Sequence, residues 1–263
     1  MKRGCAALAT NKSQVQRVLD QPGFVLHHYD WSESSRILEV FTRQHGRVAL
    51  VAKGAKRPTS SLRAVLLPLQ PLLLSYGGDG EIRTLKSAEW AGGHVMPSGD
   101  ALLSGYYVNE LLMRLLARDD PHLLLFDRYR QTIQILASGL DNTTAPLLRA
   151  FELLLLKDSG LLPDLSLQTM TLQSLQADKG YGLVAEGGLR AMTDGPCLLG
   201  MQWLQLQTAI NGQEPVTDLL RICAEWPSED RAALQTQLRH VLHYHCGVNS
   251  LRTRQVMMDV QAL

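Results

Sequence analysis

Residues 48–58, Val48-Ala49-Leu50-Val51-Ala52-Lys53-Gly54-Ala55-Lys56-Arg57-Pro58, pass without a break from an apolar strand pattern into a basic loop. Around them, Arg36 through Lys86 hold nine cations (Arg36, Arg43, Arg47, Lys53, Lys56, Arg57, Arg63, Arg83 and Lys86) against Glu39, Asp79 and Glu81, a net charge of +6. The 263-residue chain carries only +1, so everything outside this window sums to −5. Charge segregated in this way marks a surface for a polyanion, because like charges crowded together repel unless a partner relieves them.

Working outward, the flanking sequence reads as short strands. Phe24-Val25-Leu26-His27-His28-Tyr29 is a strand followed by the turn Trp31-Ser32-Glu33-Ser34-Ser35, and Arg36 to Thr42 is the next. Gln44-His45-Gly46 turns into the 48–52 strand. Residues 66–76 contain Pro68 and Pro71, which predicts an edge or bent strand because proline donates no ladder hydrogen bond. After Gly77-Gly78-Asp79-Gly80, Glu81 to Lys86 alternates polar and apolar. Five short strands in this length predict a small closed barrel of OB-fold size, over residues 22–95. Residues 1–21 read as a polar leader.

Beyond Met96-Pro97 the period becomes helical. Leu102, Leu103, Tyr106, Tyr107, Leu111, Leu112, Leu115 and Leu116 form one apolar stripe. Asp119-Asp120-Pro121 is expected to stop this helix and cap a second one, which Gly139 ends. A third opens at Thr144 and Pro146, completing a bundle over 96–160. Residues 161–263 are expected to hold an irregular or β excursion followed by further helices. The fold class is therefore α+β, a five-stranded barrel followed by a mainly helical part.

Chemistry-bearing motifs are scarce. Gly54-Ala55-Lys56-Arg57 lacks the second glycine and the Lys-Ser/Thr pair of a phosphate loop, and no dinucleotide loop, HExxH or Gly-x-Ser-x-Gly elbow occurs. No catalytic residue and no cofactor is predicted. His240, His243 and Cys246 fall within two helical turns and could share a metal, but histidines late in a helix also suit the negative end of its dipole, and the latter reading is preferred. Cys5, Cys197, Cys223 and Cys246 show no CxxC spacing, which favours a reducing cytosol. No apolar run is long enough to span a bilayer.

Candidate nucleic-acid contacts are Arg43, Arg47, Lys53, Lys56, Arg57, Arg63, Arg83 and Lys86, with Tyr29 and Trp31 as exposed aromatics and Phe41 assigned to the core. In the helical part Arg114, Arg128 and Arg130, together with Arg149, are candidate rim residues for a protein partner. Glu110 is expected to pair with Arg149. A module that reads RNA through the same barrel is the alternative.

Several blocks carry a resemblance: Phe24-Val25-Leu26-His27, Phe41-Thr42-Arg43-Gln44-His45-Gly46-Arg47, Val51 to Arg57, Tyr106 to Leu115, Asp119-Asp120-Pro121-His122, Leu148-Arg149-Ala150-Phe151-Glu152 and Leu251-Arg252-Thr253-Arg254. They stand in order over residues 22–258 and resemble the RecO family of DNA repair proteins. The resemblance implies an N-terminal OB-fold in a recombination mediator without turnover, located in the cytoplasm at the nucleoid. It implies binding to single- and double-stranded DNA and annealing of strands. The partners it implies are the acidic tail of single-strand-binding protein, RecR and, indirectly, RecA. Some members hold zinc on four cysteines in the C-terminal region; this chain has only Cys197 near that site and resembles the branch without the metal.

Overall fold

The computed structural model describes residues 17–93, 95–139 and 142–261. The expected leader therefore lies outside the described residues up to position 16, as does Cys5. From position 17 it is a strand. β1 (Arg17–Asp30) pairs along its first half with β4 (Pro71–Gly77) and along its second half with β2 (Arg36–Thr42). Its opening residues carry little apolar pattern, and a register shift between Val18 and Gln21, with Asp20 at φ 46°, lets them follow β4.

β3 (Gly46–Ala52) continues the meander from β2, and one-turn α1 (Leu62–Val65) crosses the barrel end before β4. β5 (Ile82–Trp90) then pairs antiparallel with β4 and parallel with β3, closing the order β1-β2-β3-β5-β4. Of the edge or bent strand that its prolines predicted, β4 is not the edge, but its register shifts between Ser75 and Tyr76. Pro71 stands at the first position of the strand, where it accepts from the Ala91 amide at 2.9 Å and need not donate.

Next come α2 (Gly99–Leu115), α3 (Leu123–Ala137) and α4 (Thr144–Asp158). Asp119 and Asp120 do not cap α3, whose N-cap is His122. The Asp119 amide donates to the Arg47 carbonyl at 2.9 Å, and a Cβ on Gly46 (φ 63°) would overlap the Asp120 carbonyl. The link between α2 and α3 is therefore held by the barrel. The expected excursion is a small sheet, β6 (Gly180–Val184), β7 (Gly188–Ala191) and β8 (Leu198–Leu199), in the order β7-β6-β8. α5 (Gly200–Ile210), α6 (Pro215–Glu225), α7 (Ser228–Cys246) and α8 (Arg252–Gln261) complete the chain. Among the described residues no helix is long and apolar enough to cross a membrane.

Period-two alternation in β1 and β2 serves two cores at once. Val25, Leu38 and Val40 point into the barrel with Val48, Leu50, Leu74 and Tyr76. Phe24, Leu26 and Phe41 point outward and are buried in the helical core. There the Phe24 ring lies 5.0 Å from Tyr129 and Phe41 lies 5.4 Å from Phe126. The Tyr129 hydroxyl donates to Asn109 Oδ1 at 2.7 Å, and Asn109 Nδ2 donates to the Leu26 carbonyl at 3.1 Å. The outer face of the barrel and the helices share one apolar core, distinct from the barrel interior. Phe41→Ala should therefore cost about 3–5 kcal/mol, and in urea the fluorescence and far-UV dichroism transitions should shift together; separate transitions would contradict the shared core.

Candidate nucleic-acid interface

The nine cations divide sharply by partner. Arg43, on the β2–β3 turn, clamps Asp127 of α3 through Nε at 3.1 Å and Nη2 at 2.9 Å. The pairing lowers the Asp127 carboxyl and raises the Arg43 guanidinium. Arg47 holds buried Glu39 at 3.1 Å and donates through Nε to the Leu116 carbonyl; Arg118 takes the other Glu39 oxygen. Arg83 pairs with Asp119 at 2.7 Å. These three arginines fasten barrel to helices.

Lys56 and Arg36 share Asp30, at 3.0 and 3.4 Å, and Lys56 Nζ also donates to the Ser32 carbonyl. Together with the Lys56 amide, which donates to the Ser34 carbonyl at 3.0 Å, they staple the basic loop to the 31–35 turn.

Lys53, Arg57, Arg63 and Lys86 remain, all exposed and in no ion pair among the described residues. The fold gathers them at one end of the barrel. The β3–β5 ladder ends at Val51 opposite Thr84, so Lys53 and Lys86, each two residues on, leave it side by side. Arg57 is brought back over Gly54 by a turn in which its amide donates to the Gly54 carbonyl at 3.1 Å. Gly54 has φ 71°, a conformation that favours glycine. Ala55, buried in the barrel core, pins the loop from beneath. Arg63 lies on α1, which packs against β5. Tyr29 and Trp31, 47% and 66% exposed, flank the staple.

The expected partner rim is largely engaged within the chain. Arg114 pairs with Glu110 one helical turn away at 2.9 Å, and Arg128 holds Asp158 at 2.5 Å. Arg130 is exposed, without an ion pair among the described residues. Glu110 does not meet Arg149. It accepts the Arg252 and Thr253 amides at 3.0 and 2.9 Å and the Thr253 hydroxyl at 2.7 Å, tying the start of α8 to α2. Burial would raise the Glu110 carboxyl, but these bonds outweigh it and hold it low.

Arg149 instead reaches Glu152, one turn along α4 and fully buried, which also accepts the Tyr107 hydroxyl at 2.7 Å. Burial raises the Glu152 carboxyl against the pull of Arg149 and Tyr107. Arg149 Nε is buried with no hydrogen-bond partner among the described residues, beside a cavity of about 210 Å³ lined by Pro146, Cys223, Leu234 and Arg231. No residue spacing announces this arrangement.

His243 faces Arg254, Arg239 and His240, and burial followed by these cations lowers its pKa. Burial pushes the Cys246 thiol up to about 11. Among the described residues no three His, Cys, Asp or Glu side chains come close enough to hold a metal.

Two family models match the chain: one described as Recombination protein O N terminal over residues 17–94, the other as Recombination protein O C terminal over residues 96–177. The DNA repair protein RecO of Polaromonas sp. (strain JS666) is 61% identical over 251 residues, covering 95% of this chain and 99% of its own length. Those of Verminephrobacter eiseniae and Delftia acidovorans are 58% and 56% identical over 255 and 257 residues, covering 95% of this chain and 99% and 100% of their own.

The staple can be checked directly. Lys56 holds the exposed Asp30 carboxyl below its usual range through its hydrogen bond, so this contribution to stability is present above the ordinary carboxylate pKa and is lost as pH falls through the lowered one. In Lys56→Ala the Asp30 pKa followed by carbon NMR should rise toward the ordinary value; an unmoved titration would show that the pair does not persist in solution.

Proposed function

The chain belongs to the RecO family of DNA repair proteins, and from that we propose that it binds and anneals single-stranded DNA and, with RecR, helps RecA replace single-strand-binding protein. The observation that supports DNA binding is the gathering of Lys53, Arg57, Arg63 and Lys86, exposed and in no ion pair among the described residues, at one barrel end. Lysine and arginine contacts to phosphate release counterions and ignore base identity. A surface that grips only the backbone leaves base edges free to find a complement, which is what annealing requires. Duplex DNA offers the same phosphates.

For the acidic, apolar tail of single-strand-binding protein, the helical part offers the cavity beside Arg149. Its apolar wall suits a hydrophobic side chain, while the unpartnered Arg149 Nε and exposed Arg231 suit carboxylates. Arg130, exposed and in no ion pair among the described residues, adds a cation elsewhere on the helices. In this reading the protein works in the cytoplasm at the chromosome, through binding and without turnover. RecR and RecA enter through the family alone.

Replacing Lys53, Arg57, Arg63 and Lys86 with alanine should weaken single-strand binding and lower the slope of log affinity against log salt by about 3, at roughly 0.7 per lost phosphate contact. Arg221→Ala, an exposed arginine on α6, should leave both unchanged. An unaltered slope in the fourfold variant would remove the barrel end as the DNA surface. Separately, single-strand-binding protein should be retained by the wild-type chain only when its terminal tail is present, and Arg231→Ala should weaken that capture; equal capture without the tail would reject tail docking.

A further inference from the structure

A second cavity, of about 510 Å³, lies where β1 meets α2 and the start of α8. Its walls include Leu26 and Tyr29 of the barrel, Tyr106 and Met113 of α2, and the guanidinium-bearing Arg114 and Arg252. We propose that this junction cavity receives an unpaired nucleobase of the single strand held at the cationic barrel end. The inference rests on the DNA-binding reading above and adds a subsite to it.

Three observations carry the assignment. First, two of the cavity's lining residues, His27 and Tyr29, run along β1 toward the turn that Lys56 staples. His27, Tyr29 and Trp31 follow one another at two-residue spacing along and just beyond β1, and all are exposed. The His27 and Tyr29 rings stand 4.7 Å apart, edge to face. Trp31 belongs to the turn stapled by Lys56. An exposed line of rings therefore leads from the basic loop into the cavity.

Second, the charge fits a phosphate beside the bound base. The carboxylate in the wall, Glu110, is already taken by Arg114 and by the amides of Arg252 and Thr253. The Arg252 side chain is exposed and forms no ion pair among the described residues. Third, size and chemistry suit a base: the volume lies within the range of small-ligand pockets, and aromatic faces accept any base because every base has a π-face.

Duplex DNA has no unstacked base to insert, so the subsite separates the two forms of DNA. Tyr29 is half exposed and outside both cores, so Tyr29→Ala should leave the fold undisturbed. This variant should bind single-stranded oligonucleotide roughly tenfold more weakly at fixed salt, the loss expected from one stacked base. The salt slope and duplex affinity should stay at wild-type values, Tyr29→Phe should restore single-strand binding, and 2-aminopurine in the oligonucleotide should be quenched less by Tyr29→Ala.

Wild-type single-strand affinity in Tyr29→Ala, or an equal loss on duplex, would overturn the subsite while leaving the cationic surface intact. A loss confined to capture of single-strand-binding protein would overturn it in favour of a peptide groove. Failure of the barrel-end reading itself would appear separately, as an unchanged salt slope in the fourfold charge variant.

Discussion

The aromatic contact between Phe24 and Phe41 on the barrel and Phe126 and Tyr129 on α3 is the constraint on which the rest of the structure depends. Because neighbouring residues of a strand face opposite ways, β2 must place Leu38 and Val40 in one core and Phe41 in another. A slip of one residue would exchange the two sets, so the helical core fixes barrel register as firmly as the barrel's own ladder does. Asn109 supports the arrangement by satisfying a barrel carbonyl and the Tyr129 hydroxyl together, leaving neither buried without a partner.

This joint also explains the electrostatics. A buried carboxylate such as Glu39 is costly unless paired, and two arginines are committed to it. Arg43 and Arg83 are committed to aspartates on and beside α3. Most of the positive charge counted in the sequence therefore works within the protein. What is left for a partner is smaller and better localised than the total implies. Location and lack of an internal partner, more than number, distinguish a binding cation from a structural one.

The strands, the closed barrel, the change to helices after residue 96 and the helix-ending Gly139 were legible because each rests on local periodicity or on one residue's backbone preference. Three features were not. The start of β1 is polar and ordered by its pairing with β4. The Asp119-Asp120 segment looks like a cap but is held by the barrel. Glu110 meets Arg252 and Thr253 across more than 140 positions rather than Arg149, which turns to Glu152 one turn away. For the candidate site, the basic loop could be found by counting charge. Asp30, the group that occupies Lys56 and Arg36, could not, since nothing in its neighbourhood marks it as a staple. The junction cavity is assembled from three distant segments and leaves no trace in any one of them.

The burial of Ala55 beneath the basic loop bears on how fast a strand can come and go. A loop anchored through its middle by a core methyl group, and tied at Lys56 to the neighbouring turn, has surrendered its backbone freedom during folding. In the proposed function, contact with DNA would order only the outer ends of Lys53 and Arg57, and leaving would require no refolding of the loop. Under that proposal such an arch would let successive phosphates exchange on the same cations, and the strand would shift register stepwise while remaining bound.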